Sequence, residues 1–173
     1  EYERYYKQYL KGFERMELAA TGPLLGIRET RRVLGDYVLT LEDFQRRAVF
    51  EDEIGRFAYG IDIHVARPDK ASYDAFLNDF KSLRLGRGES YGIPYRTLTP
   101  RGLRNVLVAG RCVSTDRPVQ SSIRVMPGCY ITGQAAGAAA AMAAAGEGDV
   151  RAISVAGLQR ALKALGAYLP NAA

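Results

Sequence analysis

The chain has 173 residues, 47% of them hydrophobic and 25% charged, the balance of one ordinary globular domain, which excludes a fibre or a disordered tail. Lys and Arg number 24 against 19 Asp and Glu, a net charge of +5 with a sequence pI near 9.3. Most of that positive charge is Arg, whose planar fork matches carboxylate and phosphate oxygens, so the excess points to anionic ligands and falls short of a dedicated nucleic-acid binder.

The opening stretch EYERYYKQYLKGFERME is charged and aromatic and has no apolar h-region. An export signal is therefore expected only upstream, if at all, and the expected location is cytoplasmic. Residues Tyr2 to Ala20 read as an amphipathic helix weakened by Gly12. Ile27 to Leu39 alternates around Gly35-Asp36 and reads as a hairpin. Thr40 followed by Leu41, Glu42 and Asp43 supplies an N-cap and early acidic residues for a helix expected to run to about Arg56. Tyr59 to Val65 alternates as a strand, with Asp62 and His64 on one side and Ile61 and Ile63 on the other. The charged stretch from Arg67 to Leu85 is expected to be partly helical, and the glycines after it irregular.

Asn105 to Ala109 (NVLVA) is an apolar run ended by Gly110, the pattern of a strand buried on both faces. A loop and a helix starting near Pro127 follow, proline being suited to a first helical turn. The 21 uncharged residues from Val125 to Ala145 could cross a bilayer by length. Their alanines, Pro127 and Gln134 argue instead for a packed helix. Gly133, Gly137, Ala140, Ala141 and Ala144 are expected to form the face that another backbone approaches. Ile153 to Leu165 reads as a last amphipathic helix ended by Gly166. No internal repeat appears, and no linker argues for independent domains.

The chemistry concentrates in NVLVAGRCVSTDRPVQSSIRVMPGCYITGQAAG. Unpaired amides around Gly128, Cys129 and Tyr130 make a positive pole, with Arg111 and Arg124 adding full charge, which together predict an anion pocket. The alternative is two solvated arginines beside a water-capped helix. A thiol at such a pole can be reactive, but Cys129 has no CxxC partner and reads better as a small residue allowing close approach. Cys112 and Cys129 are expected to be free thiols, and with His64 the one histidine no metal site is expected. Histidine is the side chain that ordinarily changes charge near neutral pH, which makes His64 a natural candidate for proton transfer beside Asp62, the alternative being a structural strand histidine. In GIRETRR, strand alternation would place Arg28 and Arg32 on one face, able to bind a carboxylate, and Arg31 on the other. An edge strand defended by charge explains the same pattern.

The order GIRETRRVLGDYVLT, YGIDIH, YGIPYRTLTPRGLRNVLVAGRCVS and SSIRVMPGCYITGQAAGAAAA resembles the C-terminal half of bacterial FAD-dependent oxidoreductases related to the glutathione-reductase and succinate dehydrogenase type flavoproteins. The resemblance spans about residues 22–166 and is most specific from Ile93 to Ala141. It implies an α/β (mixed α+β) fragment of an FAD-binding Rossmann-like domain plus part of a substrate domain. Residues 1–104 would belong to the substrate or cap part, 105–146 would be the closing strand and helix of the FAD domain, and 147–173 the C-terminal helix. Gly110, Arg111, Arg124, Met126, Pro127, Gly128 and Cys129 would face the cofactor. Tyr95 and Arg96 would sit on the substrate side, with Arg28 and His64 catalytic. A small organic substrate would exchange a hydride with the flavin.

A complete enzyme of this kind carries a GxGxxG turn for the FAD pyrophosphate, and none occurs in these 173 residues. The expectation is a C-terminal portion of a larger flavoprotein whose N-terminal FAD-binding half lies elsewhere, the portion alone being colourless and inactive. The competing expectation is a non-catalytic anion-binding or oligomerisation module, self-associating through apolar surface. Neither nucleic acid nor membrane is an expected partner.

Overall fold

A computed structural model describes residues 1–63, 70, 74 and 83–172, and in them the chain is a mixed α/β protein. Helix α1 (Tyr2–Tyr9) carries a Glu3–Lys7 pair at 2.6 Å, but it stops well short of Ala20 because none of its residues is buried. An isolated helix does not propagate through an unfavourable Gly12 without packing to support it. Helix α2 (Leu41–Gln45) starts where the capping residues predict: Thr40 and Asp43 form a reciprocal capping box. It does not reach Arg56. Arg47 turns left-handed with φ 54°, and the chain continues into strand β1 (Glu53–Phe57), which pairs antiparallel with β2 (Tyr91–Pro94).

The expected hairpin at Gly35-Asp36 is replaced by two long-range bridges, Gly35 to Pro100 and Leu39 to Thr115. A side chain at Gly35 would come 2.8 Å from the Ser114 Cβ, so this glycine serves a close approach and not a turn. Residues 59–63 do not form the expected strand. Serine hydroxyls take the place of a neighbouring ladder there: Ser122 donates to the Tyr59 carbonyl at 2.6 Å, and the Asp62 N–H donates to Ser121 at 2.9 Å. His64 and Val65, the end of that stretch, lie outside the described residues.

Asn105 to Ala109 is likewise corrected. It is extended without a ladder and is exposed as far as Val106, tied to the body by the Val108 N–H on the Leu98 carbonyl at 2.9 Å. Apolar β-branched content encodes a preference for extension but not the presence of a partner strand. The loop expected before Pro127 contains helix α3 (Arg117–Ile123), capped by the Asp116 carboxylate on the Val119 N–H at 2.9 Å.

Helix α4 (Met126–Ala144) buries Gly128, Thr132, Ala135, Ala139 and Ala143, whereas the expected close-approach face, Gly133, Gly137, Ala140, Ala141 and Ala144, is exposed. With alanine or glycine on every side, no stripe distinguishes one face from another. No helix of the described residues is long and apolar enough to cross a membrane. Helix α5 (Val155–Ala164) is capped by Ser154 and followed by Gly166 at φ +88°.

One core runs through the fold. Phe44, Ile54, Tyr91 and Ile93 from the sheet side meet Ile123 of α3, Ala135 and Ala139 of α4, and Leu158 and Leu162 of α5. Residues from all three expected segments, 1–104, 105–146 and 147–173, thus share it. Two core tyrosines anchor the ends: Tyr91 shares a 2.8 Å hydrogen bond with Ser122, and Tyr95 donates to the Val150 carbonyl at 2.7 Å. Burial pushes the Tyr95 phenol up to about 12 and raises that of Tyr91 as well. The fold therefore keeps protons that the unfolded chain releases near its ordinary value of 10.0, and stability falls as pH rises from there towards 12. Urea midpoints measured across that range should decline, and Tyr95→Phe should flatten the decline. Identical slopes in both proteins would show that Tyr95 does not carry it.

Candidate functional site

Segment 27–31 and the turn 109–112 face each other across a cavity of about 510 Å³, with Cys129 from the first turn of α4 at its end. The local sequence explains the shape. Gly110 sits at φ +73°, a conformation open to glycine at little cost, and its N–H donates to Thr132 Oγ1 at 2.9 Å. A side chain at Gly110 would contact the Cys129 thiol, so its absence leaves bare backbone in the wall. The Arg111 guanidinium donates to the Ile27 carbonyl, and the Val33 N–H to the Cys112 carbonyl at 2.9 Å. The two walls are thereby stitched together at both levels.

Among the sequence-predicted residues, Arg28, Gly110, Arg111 and Cys129 all line this cavity. Arg31 lines it too and Arg32 does not, because the segment is irregular and the alternation expected of a strand fails. Arg28 pairs with Asp62 at 3.0 Å and keeps a half-exposed side chain.

Arg124 is not a solvated loop residue: its side chain is only 8% exposed. It donates to Glu29 at 2.7 Å and to the Asp62 carbonyl at 3.1 Å, and its Nε is buried with no hydrogen-bond partner among the described residues. It borders a smaller cavity of about 140 Å³ that meets the first at Glu29. Met126 and Pro127 are exposed, and Gly128 is buried against the Ile123 carbonyl. Those three do not line the cavity.

Tyr95 and Arg96 lie in a separate cavity of about 600 Å³. There the Arg96 fork grips Asp52 at 2.9 and 3.2 Å, and the Tyr95 hydroxyl is spent on Val150. His64 lies outside the described residues. Sequence reasoning missed Glu29 and Thr132, of which Glu29 alone left a signal, as the acid set among the arginines of GIRETRR.

Both cysteines are free. Burial raises the Cys129 thiol above its ordinary value, Arg111 opposes that rise, and Cys112 reinforces it. Less thiolate is present at neutral pH than at an ordinary cysteine, which favours the small-residue reading over a redox thiol. Chemically, the cavity offers a stretch of bare backbone, apolar Ile27 and Ala109, and three guanidinium groups. Such a set suits a planar, electron-rich group with an anionic companion.

A model of the family described as FAD dependent oxidoreductase matches residues 1–162. Neither the curated proteins nor the solved structures contain a match to the chain.

Proposed function

Because the chain belongs to the FAD dependent oxidoreductase family, we propose that it forms one wall of a flavin site and, within a larger flavoprotein, serves hydride transfer between a small organic substrate and the flavin. The observation that carries this reading is the convergence of bare Gly110, Arg111, Cys129 and Arg28 on one cavity. FAD, when bound, supplies the hydride chemistry.

The roles of the chain's own residues follow. Gly110 admits the ring edge to the backbone, and Arg111 with the first turn of α4 sets positive charge beside the atoms that gain electron density. Arg28, half exposed at the cavity, orients an anionic substrate group. Arg124 holds Glu29 and so positions segment 27–31. His64 is assigned the proton because histidine ordinarily changes charge near neutral pH, Asp62 neighbours it in the sequence, and the YGIDIH segment resembles the family.

Without a GxGxxG turn in the sequence, tight FAD binding needs a pyrophosphate-holding segment from outside these residues. In that arrangement residues 1–104 are the substrate side, 105–146 close the FAD domain and 147–173 add the outer helix. The chain alone should purify without a flavin absorption band. Produced together with a segment carrying the glycine turn, it should retain FAD. Stoichiometric flavin on the chain alone would overturn the division of labour, and no FAD on the combined protein would overturn the flavin site itself. In that protein Arg111→Ala should slow flavin reduction at least about tenfold in stopped-flow measurements, the scale of one lost electrostatic contact. His64→Ala with an unchanged rate would remove the histidine from the mechanism.

A further inference from the structure

The cavity of about 600 Å³ beside Arg96 shares no lining residue with the flavin cavity, and its chemistry is different. Three carboxylates, Asp36, Glu51 and Asp52, face two guanidinium groups, Arg96 and Arg151, so its walls carry one negative charge in excess. Most of these groups are already committed. Arg151 gives its Nε to Asp36 at 2.8 Å and its Nη2 to the Pro100 carbonyl at 2.6 Å, with Nη1 on the Leu103 carbonyl. Asp36 also accepts from Thr99 at 2.6 Å.

Arg96 is held but not used up. Asp52 accepts from its backbone N–H at 3.1 Å as well as from the fork, and the Tyr37 ring lies 5.1 Å beneath the guanidinium. Tyr37 is itself fixed by the Asp43 carboxylate at 2.9 Å and by the edge of Phe50. This packing sets the guanidinium in place before any ligand arrives, while its Nη1 has no hydrogen-bond partner among the described residues and half of the side chain remains open. The entropic cost of ordering a long side chain on binding is thus largely removed.

In the same cavity the Glu51 side chain is exposed, close enough for its charge to act on Arg96 but without a hydrogen-bond or salt-bridge partner among the described residues, while its backbone carbonyl is anchored by Gln159 at 2.8 Å. One set of donors and one acceptor without hydrogen-bond partners among the described residues therefore share a cavity whose remaining wall is Val49, Phe50, Tyr95, Thr99 and Val155. A simple anion would gain Arg96 but meet the excess of carboxylates. A simple cation would gain Glu51 and leave the Arg96 donors unmet. We infer that this cavity binds a small zwitterion with an apolar body, the class of the hydrophobic α-amino acids, with its carboxylate on the free edge of Arg96, its ammonium on Glu51 and its side chain against Val49 and Phe50.

The inference needs no cofactor and is tested on the chain itself by calorimetric titration with L-phenylalanine. Three probes each lack part of the pattern: 3-phenylpropanoate has no ammonium, phenethylammonium no carboxylate, and inorganic phosphate no apolar body. Phenylalanine should bind saturably at one site, with each of the other three at least about tenfold weaker, the scale of one lost charged hydrogen bond. Arg96→Lys, which keeps the charge and loses the fork, should weaken phenylalanine about tenfold or more. Glu51→Gln should weaken phenylalanine several-fold and leave 3-phenylpropanoate unweakened. The proposal is overturned by an absence of saturable phenylalanine binding, by 3-phenylpropanoate or phosphate binding as well, or by full affinity in Arg96→Lys. Should Arg96→Lys fail to fold, the exposed Glu51→Gln variant decides alone.

Discussion

Replacing Arg56 with Met is expected to destabilise the protein by about 3–5 kcal/mol, because it leaves a buried carboxylate without its counter-charge. Glu53 is fully buried. One of its oxygens accepts from Arg56 at 2.6 Å and from the Phe50 N–H at 3.2 Å, while the other is buried with no hydrogen-bond partner among the described residues. Gly92 on the paired strand packs directly on this carboxylate, where any side chain would collide with it. Arg56 is itself only 7% exposed and also bonds Ser90 through Nε at 2.9 Å and to its carbonyl at 2.6 Å. For a chain of this size such a loss lowers the melting temperature by roughly 6–20 °C.

A double variant, Glu53→Gln with Arg56→Met, removes the charge along with its partner and should recover part of the loss. Urea denaturation of the wild type and both variants separates the cases. A single variant with the wild-type midpoint would mean that Glu53 is not held as a buried charge.

The second large effect is expected at Gly128. A methyl group there would run into the Ile123 carbonyl, which is backbone and cannot swing aside. Gly128→Ala must separate the end of α3 from the start of α4, at a cost of about 1–3 kcal/mol or more. The helix propensity gained by exchanging Gly for Ala, about 1 kcal/mol, opposes this and does not cancel it. The same movement shifts Arg124, before this glycine in the chain, and Cys129, directly after it, and so should loosen the two adjoining cavities that they line. Gly133 supplies the control in the same helix, since it is exposed and has nothing near the added methyl. Gly133→Ala should stabilise by about 0.5–1 kcal/mol. Equal effects of the two substitutions in a denaturant titration would contradict the packing described for α3 on α4.

The candidate site and the fold were legible to different depths. The small-residue helix, its start near Pro127 and the turn at Gly110-Arg111 could be read from a short window, because proline, glycine and the capping residues act on their own neighbours. Thr40 and Asp43 announced α2 for the same reason. Asp116 announced α3 just as clearly, but the charged and polar residues around it concealed the signal. Arg28 lines the same cavity as Gly110 and Arg111 although the strand expected to carry it did not form.

What local sequence determined, then, is where helices begin and which backbone positions must stay bare, since both depend on atoms a few residues apart. Only the tertiary structure decided which face of the alanine-rich helix is buried, that Gly35 bridges to Pro100 instead of turning a hairpin, that Arg124 is enclosed by Glu29 and Asp62, and that Arg96 belongs to a different cavity from Arg111. Each of these depends on a partner outside the local window, such as Asp52 for Arg96, 44 positions away, and Glu29 for Arg124, 95 positions away, and neither the alternation nor the composition of a window carries the identity of what will pack against it.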